Sequence, residues 1–322
     1  MKLLVAGGAG YIGSHVVLEA LDSGFEVTIF DNLSSGNKEN IPEGVHFFQG
    51  STQSNSDLSK LFNSNKYDAV VHLAASKASG ESMVYPGKYA QNNIFGGLNF
   101  INACCESKVR IFVFSSSAAV YGSPKYNPID EDHPILPTSY YGFSKSILEQ
   151  NLNWYSNLKG MRYASLRYFN AAGYDLKNRI KSLEINPQNL IPVVMESAIG
   201  MRTHVKVYGD DYNTKDGTGV RDYVHVSDLA RAHIDSINYV RKEDKNLTIN
   251  LGNEIGYSVL DVIHKLSEVS KKSIKYKIIG RRSGDSDTTI ANAELAKRLI
   301  GWETRHSDLD TIINSTWELY KA

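Results

Sequence analysis

Cysteine is nearly absent from the 322-residue chain: it has only the neighbours Cys104 and Cys105. Two adjacent thiols build no disulfide framework and no metal quartet, so the expectation is a reducing cytoplasm and no bound metal. An excess of charge is missing as well, because Lys plus Arg (35) equals Asp plus Glu (35). Without a basic surplus, nucleic acid is a poor partner. Long hydrophobic runs are lacking too. The N-terminal run Leu3–Ala6 is too short for a signal peptide or a membrane span. No repeat and no low-complexity tract stands out.

The chain does carry a folded protein's balance, 42% hydrophobic and 22% charged. Its length exceeds one ordinary core, which predicts a large lobe with a smaller one attached. Apolar runs at Leu3–Ala6, Val27–Phe30, Val45–Phe48, Ala69–Leu73 and Ile111–Phe114 read as strands covered on both faces. Helices are expected over Ile12–Ser23, with Gly24 as its C-terminal cap, and over Asp57–Ser64, Lys88–Glu106 and Tyr140–Leu158. A further strand is expected over Tyr163–Arg167. Regular alternation of strand and helix predicts right-handed crossovers and a parallel sheet. Past residue 168 the loops lengthen, with one helix over Leu190–Gly200. Residues 1–168 therefore read as the sheet domain, with some later segments crossing back, and residues 169–322 as a smaller lobe on its edge.

The first strand runs directly into Gly7-Gly8-Ala9-Gly10-Tyr11-Ile12-Gly13. Two glycine patterns fit: Gly8, Gly10 and Gly13, or Gly7, Gly10 and Gly13. Either one permits a tight turn and the close approach of a pyrophosphate to backbone at a helix start. Asp31 ends the second strand, 18 residues past Gly13. A carboxylate there accepts ribose hydroxyls and repels a 2′-phosphate, which favours NAD over NADP. The fold class expected is thus α/β, a doubly wound parallel Rossmann sheet with a smaller C-terminal α/β substrate lobe.

Tyr141 and Lys145 stand one helical turn apart, and Ser115-Ser116-Ser117 closes the fifth strand, at the sheet edge where ligands bind. Serine, tyrosine and lysine make a proton-transfer unit. Lowering a phenol from pKa ~10 by ~3 units takes about 4 kcal/mol of preferential phenolate stabilisation. One ammonium ~4 Å away at an effective dielectric of ~20 supplies roughly that, and a cationic nicotinamide would add to it.

Together these residues resemble the extended short-chain dehydrogenase/reductase superfamily and, within it, the UDP-glucose 4-epimerase family. The matching blocks are Gly7–His15, Asp31-Asn32-Leu33, Ser115–Gly122, Tyr141-Gly142-Phe143-Ser144-Lys145, Arg167-Tyr168-Phe169-Asn170, Asp216–Tyr223, Asn250-Leu251-Gly252 and Arg281-Arg282-Ser283-Gly284-Asp285. The resemblance implies catalysis by Ser117, Tyr141 and Lys145. It implies NAD contacts at Tyr11, Ile12, Asp31, Asn32, Lys77, Asn92, Tyr141, Lys145 and Phe169, beside the glycines. UDP-sugar contacts are implied at Ser117, Asn170, Asn189, Leu190, Tyr208, Arg221, Arg282 and Asp285. The implied activity is inversion at C4 of UDP-glucose or UDP-galactose through a transient 4-keto sugar, in a cytoplasmic homodimer. The alternatives are a UDP-N-acetylglucosamine 4-epimerase, another nucleotide-sugar epimerase or decarboxylase, and a non-catalytic NAD-sensing protein. Three residues depart from the family pattern. Ser51 replaces an Asp directed at adenine, and Ala119 replaces a Thr. Thr289 stands where some members place a Tyr beside the sugar's C2 substituent, and a small residue there resembles members that accept N-acetylhexosamines.

Overall fold

Runs that are apolar at every position become strands walled on both faces. The computed structural model describes residues 1–282 and 284–321; Ser283, part of the Arg281–Asp285 block, lies outside the described residues. The first half holds β1 (Lys2–Ala6), α1 (Tyr11–Asp22), β2 (Glu26–Asp31), β3 (His46–Gln49), α2 (Asn55–Ser64), β4 (Ala69–His72), α3 (Ser79–Val84), α4 (Pro86–Tyr89), α5 (Gly96–Glu106), β5 (Ile111–Ser117), α6 (Tyr140–Lys159) and β6 (Arg162–Tyr168). Then come β7 (Asn170–Ala172), α7 (Leu190–Ala198), β8 (Val205–Tyr208), β9 (Val220–His225), α8 (Val226–Glu243), β10 (Leu247–Leu251), β11 (Gly256–Ser258), α9 (Val259–Ser270), β12 (Tyr276–Ile279), β13 (Thr288–Thr289), α10 (Glu294–Ile300) and α11 (Leu309–Tyr320).

Seven strands form one parallel sheet in the order β10-β6-β5-β4-β1-β2-β3. The chain direction across the sheet reverses between β1 and β4, so the crevice for a ligand opens there. Alternate residues of each strand feed opposite cores. Leu3 and Val5 pack with Val16 and Val17 of α1, Leu229 and Ile237 of α8 and Trp302. Leu4 and Ala6 pack with Leu58 and Leu61 of α2, Phe100 and Cys104 of α5 and Leu148 of α6. Each Val, Leu, Ile or Phe side chain among them, fully buried, contributes about 1.5–3 kcal/mol. The first helix ends as expected, with Gly24 at φ +78° directly after the C-cap Ser23.

One expected helix is broken. Lys88–Glu106 divides into α4, a π-helical segment over Ala90–Phe95, and α5. The wider turn puts Asn92 and Asn93 side by side against the β4 loop: Asn92 Nδ2 donates to Ser76 Oγ at 3.1 Å, and Asn93 Oδ1 accepts the Ser76 N–H at 2.8 Å.

The later segments build two further small sheets. β9 is flanked by β11 and β13 and also pairs with β7, while β8 pairs with β12. Under them α7, α9 and α11 share a separate apolar cluster that includes Val194, Met195, Ile263, Ile312 and Trp317. Buried Asp222 of β9 binds this lobe to the sheet edge. Its carboxylate accepts the N–H groups of Asn253 at 2.7 Å, Glu254 at 3.0 Å and Ala291 at 3.1 Å.

Candidate active site

The glycine turn settles which of the two patterns applies. Gly7 has φ +86°, and a Cβ there would lie 2.6 Å from the Ala74 N at the end of β4. A Cβ at Gly13 would fall 2.0 Å from the Gly7 carbonyl oxygen. Gly10 is the N-cap of α1 and offers no side chain to cap it, so the first-turn N–H groups stay open toward the switch point between β1 and β4. Gly7 and Gly13 are thus the positions of this turn that close backbone packing demands, a Cβ at Gly10 meeting only the Gly7 carbonyl at 3.3 Å, and the cradle they leave suits a pyrophosphate. Ile12, in the first turn of α1, packs against the sheet core.

Asp31 closes β2 beside this cradle. Its Oδ2 accepts the Ala9 N–H at 3.0 Å and its Oδ1 the Leu33 N–H at 2.8 Å. Burial pushes this carboxyl up, and the two N–H groups oppose the rise. Asn32 is exposed and accepts the Ser34 N–H. Tyr11 donates to the Gly173 carbonyl at 2.6 Å, and Lys77 lies 5.6 Å from the Tyr11 ring centre while pairing with Glu184 at 2.7 Å. Ser51 holds the turn before α2, with its hydroxyl accepting the Gln53 N–H at 3.2 Å. Together Gly7, Gly10, Gly13, Tyr11, Ile12, Asp31, Lys77 and Asn92 surround the open edge of β1, β2 and β4, an arrangement that fits a dinucleotide.

The proton-transfer group forms at the end of β5. The Ser139 hydroxyl caps α6, starting the helix one residue before Tyr141. The Ser117 hydroxyl accepts the Ala119 N–H at 3.2 Å and favours the ionised form of the nearby Tyr141 phenol. Lys145 is buried, donates to the Ser115 carbonyl at 2.6 Å, and has Nζ 5.8 Å from the Tyr141 ring centre. Burial lowers Lys145 to about 7, opposed by Glu149, and burial raises Tyr141. Burial thus opposes the charged form of both Lys145 and Tyr141 in this apolar setting. Ala119 supplies no hydroxyl here; its carbonyl lies against Gly142, where a Cβ would come within 2.2 Å.

A second group gathers on the lobe. Arg282 covers the Tyr208 ring at 4.4 Å and pairs with Asp285 at 3.0 Å, while Arg221 reaches the same carboxylate at 3.9 Å. Thr289 stands opposite Arg221 in the register of β13 and β9, its hydroxyl bonded to Ser286. Two guanidinium groups beside an aromatic face and a carboxylate suit a nucleoside diphosphate. Asn170 donates to the Asp222 carbonyl at 2.8 Å, and Phe169 packs with Val120 and Tyr121 under the catalytic strand end. Asn189 stands at the N-cap of α7, which Leu190 begins, and Asn189 lines a cavity with Tyr11 and Glu184.

Several residues of this region carry no signal in the sequence. Ser82 accepts the Tyr141 N–H at 3.0 Å. Asn93 is buried and donates to Ser144 at 3.1 Å, locking α6 to the π-helical segment. His72, at the end of β4, is pushed down to about 3 by burial and then by Lys145. Only the proximity of Asn93 to Asn92 in sequence hinted at any of these.

Comparison with known proteins agrees with this geometry. Residues 3–252 match the family described as NAD dependent epimerase/dehydratase. A UDP-glucose 4-epimerase of Halalkalibacterium halodurans is 40% identical over 100% of this chain and 96% of its own. The crystal structure of the Brucella ovis UDP-glucose 4-epimerase in complex with NAD superimposes with a TM-score of 0.96 at 37% identity, covering 99% of this chain and 98% of that one. The Bifidobacterium longum UDP-glucose 4-epimerase in complex with NAD+ and UDP gives 0.93 at 35% identity, covering 100% and 98%. The chain belongs to the NAD dependent epimerase/dehydratase family.

Proposed function

We propose that this chain is an NAD-dependent UDP-glucose 4-epimerase, interconverting UDP-glucose and UDP-galactose. The observation that carries the reading is the Ser117–Tyr141–Lys145 group at the β5 end, set between a dinucleotide cradle and a pair of arginines. Bound NAD supplies the hydride acceptor for C4 and the donor that returns it. Gly7, Gly10, Gly13, Tyr11, Ile12, Asp31, Asn32, Lys77, Asn92 and Phe169 hold it. Tyr141 takes the proton of the C4 hydroxyl, Ser117 shares that hydrogen bond, and Lys145 with the cationic cofactor supports the phenolate. Arg221 and Arg282 keep the diphosphate fixed, with Tyr208 on the uracil, Asp285 at the ribose and Asn170, Asn189 and Leu190 along the cleft. The 4-keto sugar turns about its diphosphate link so that the opposite face of C4 meets the hydride donor, and Tyr141 returns the proton to the C4 oxygen. Net redox change is zero.

In this reading residues 1–168 with α8 and β10 carry the cofactor, and the rest of residues 169–322 carries the sugar nucleotide. The unpaired Cys104 and Cys105 fit a cytoplasmic setting. Exposed Phe143, Trp154 and Leu158 recur along one side of α6, near Phe95, and suit a homodimer interface, which light scattering of the purified protein would test. Among the described residues no helix is long and apolar enough to cross a membrane.

The test is proton NMR of UDP-galactose incubated with purified protein and no added cofactor. UDP-glucose should form, and Tyr141→Phe should lose at least ~1,000-fold in turnover while binding UDP as before. Unchanged turnover in Tyr141→Phe would refute the assignment. Thr289 favours a second activity on UDP-N-acetylhexosamines, because a small side chain leaves room at C2.

A further inference from the structure

The short strand β13 pairs with β9 along one edge. There the Val220 N–H reaches the Asp287 carbonyl at 2.8 Å, and Thr289 stands in register with Arg221. The opposite edge presents the Thr288 carbonyl and the Ile290 N–H, and one side chain takes both. Asn127 Nδ2 donates to the Thr288 carbonyl at 3.1 Å, and Asn127 Oδ1 accepts the Ile290 N–H at 3.0 Å. Further along, backbone takes over. The Ile129 N–H donates to the Ile290 carbonyl at 2.8 Å, and the Ile129 carbonyl accepts the Asn292 N–H at 2.7 Å, which makes a parallel bridge of Ile129 with Ala291. In a parallel ladder the residue two positions back repeats this pair of bonds with its own peptide groups. Here the carboxamide of Asn127 makes them instead, and Thr289 is the residue bracketed between.

We propose that Asn127 is a positioning residue that fixes Thr289 and thereby the wall of the sugar site at C2. The inference rests on the placement of Thr289 beside the C2 substituent given above, and goes beyond it by naming what holds that wall. The anchor behind Asn127 is firm. Ile129 is fully buried with Val120, Tyr121, Phe169 and Ala291, and its carbonyl also accepts from Asn250 Nδ2 at 2.9 Å. In the chain this segment lies between Ser117 of β5 and Tyr141 of α6, so the wall is tied to the strand end and the helix that carry the proton-transfer group. The bracket needs a side chain of this length that both donates and accepts. Asp keeps the length but turns a carboxylate oxygen toward the Thr288 carbonyl, and Ala has neither group. Asn127 itself is exposed, so truncating it opens no cavity in the core.

A loosened wall shows as a gain of activity, which damage to the fold does not produce. Thr289→Tyr excludes an N-acetyl sugar only while the strand that carries the new ring holds still. The experiment measures kcat/KM for UDP-galactose and for UDP-N-acetylgalactosamine on the protein as purified with its cofactor. The forms compared are the wild type, Thr289→Tyr, and Thr289→Tyr combined with Asn127→Ala or with Asn127→Asp. Adding either Asn127 change to Thr289→Tyr should raise kcat/KM for UDP-N-acetylgalactosamine about 10-fold, the size expected for losing two hydrogen bonds, while UDP-galactose stays within ~3-fold. An unchanged value for the N-acetyl sugar, or equal losses on both sugars, would overturn the proposal. A wild type that leaves UDP-galactose untouched would defeat the proposed function instead. A wild type inactive on the N-acetyl sugar, or a Thr289→Tyr protein as active on it as the wild type, would defeat the placement of Thr289. With function and placement both upheld, a selectivity that ignores Asn127 defeats this inference alone.

Discussion

Single side chains divide here into those that announce their chemistry and those that acquire it from neighbours. Tyr141 and Lys145 are readable because a helix puts residues four apart on one face, and Ser117 because it ends a strand at the ligand edge. The state of Lys145 was not readable: its shift to about 7 comes from burial among β4, β5 and β6, which no local spacing encodes. The same holds for Asp222, which burial pushes up to about 7 against three backbone donors. Thr289 offers the sharpest test at this scale. Thr289 pairs in register with Arg221 of β9, and in the proposed function a larger side chain there intrudes on the sugar side of the diphosphate clamp. Thr289→Tyr should lower kcat/KM for UDP-N-acetylgalactosamine at least ~100-fold while UDP-galactose stays within ~3-fold, because steric exclusion at C2 acts on one substrate only. Equal losses on both would show that Thr289 does not face the C2 substituent.

Elements were legible where their period is strong. The doubly buried strands and the glycine turn were readable, and so were most of the helix bounds. The π-helical break after Tyr89 was not, because it depends on Asn92 and Asn93 finding Ser76 and Ser144 across the fold. Strand-to-helix packing at the turn makes a firm prediction. A methyl group at Gly13 would overlap the Gly7 carbonyl at 2.0 Å, and backbone cannot yield as a flexible side chain does. Gly13→Ala should therefore release NAD during gel filtration and cost about 1–3 kcal/mol of stability in urea unfolding. Gly80→Ala, in α3 with open space around it, should do neither. A Gly13→Ala protein that keeps its cofactor as the wild type does would contradict the proposed cradle.

At the scale of the molecule, the sheet could be anticipated but its completion could not. Helical periodicity is present in α8, yet nothing local says that it docks on α1 and returns the chain to the far sheet edge as β10. The lobe is built from pieces as short as Thr288–Thr289, too brief for any alternating pattern to show. Its place above the β5 end follows from long-range ties between the loop after β5 and the lobe, such as Asn127 to Thr288 and Ile129 to Ile290. In the proposed function those ties bring the arginine clamp and the phenol to a single sugar, whose C4 hydrogen leaves and returns without meeting water. The most direct measurement is turnover of unlabelled UDP-galactose in heavy water with no added cofactor, followed by mass and proton NMR analysis of the product. The account predicts UDP-glucose that retains ordinary hydrogen at C4. Solvent deuterium at C4 would contradict it.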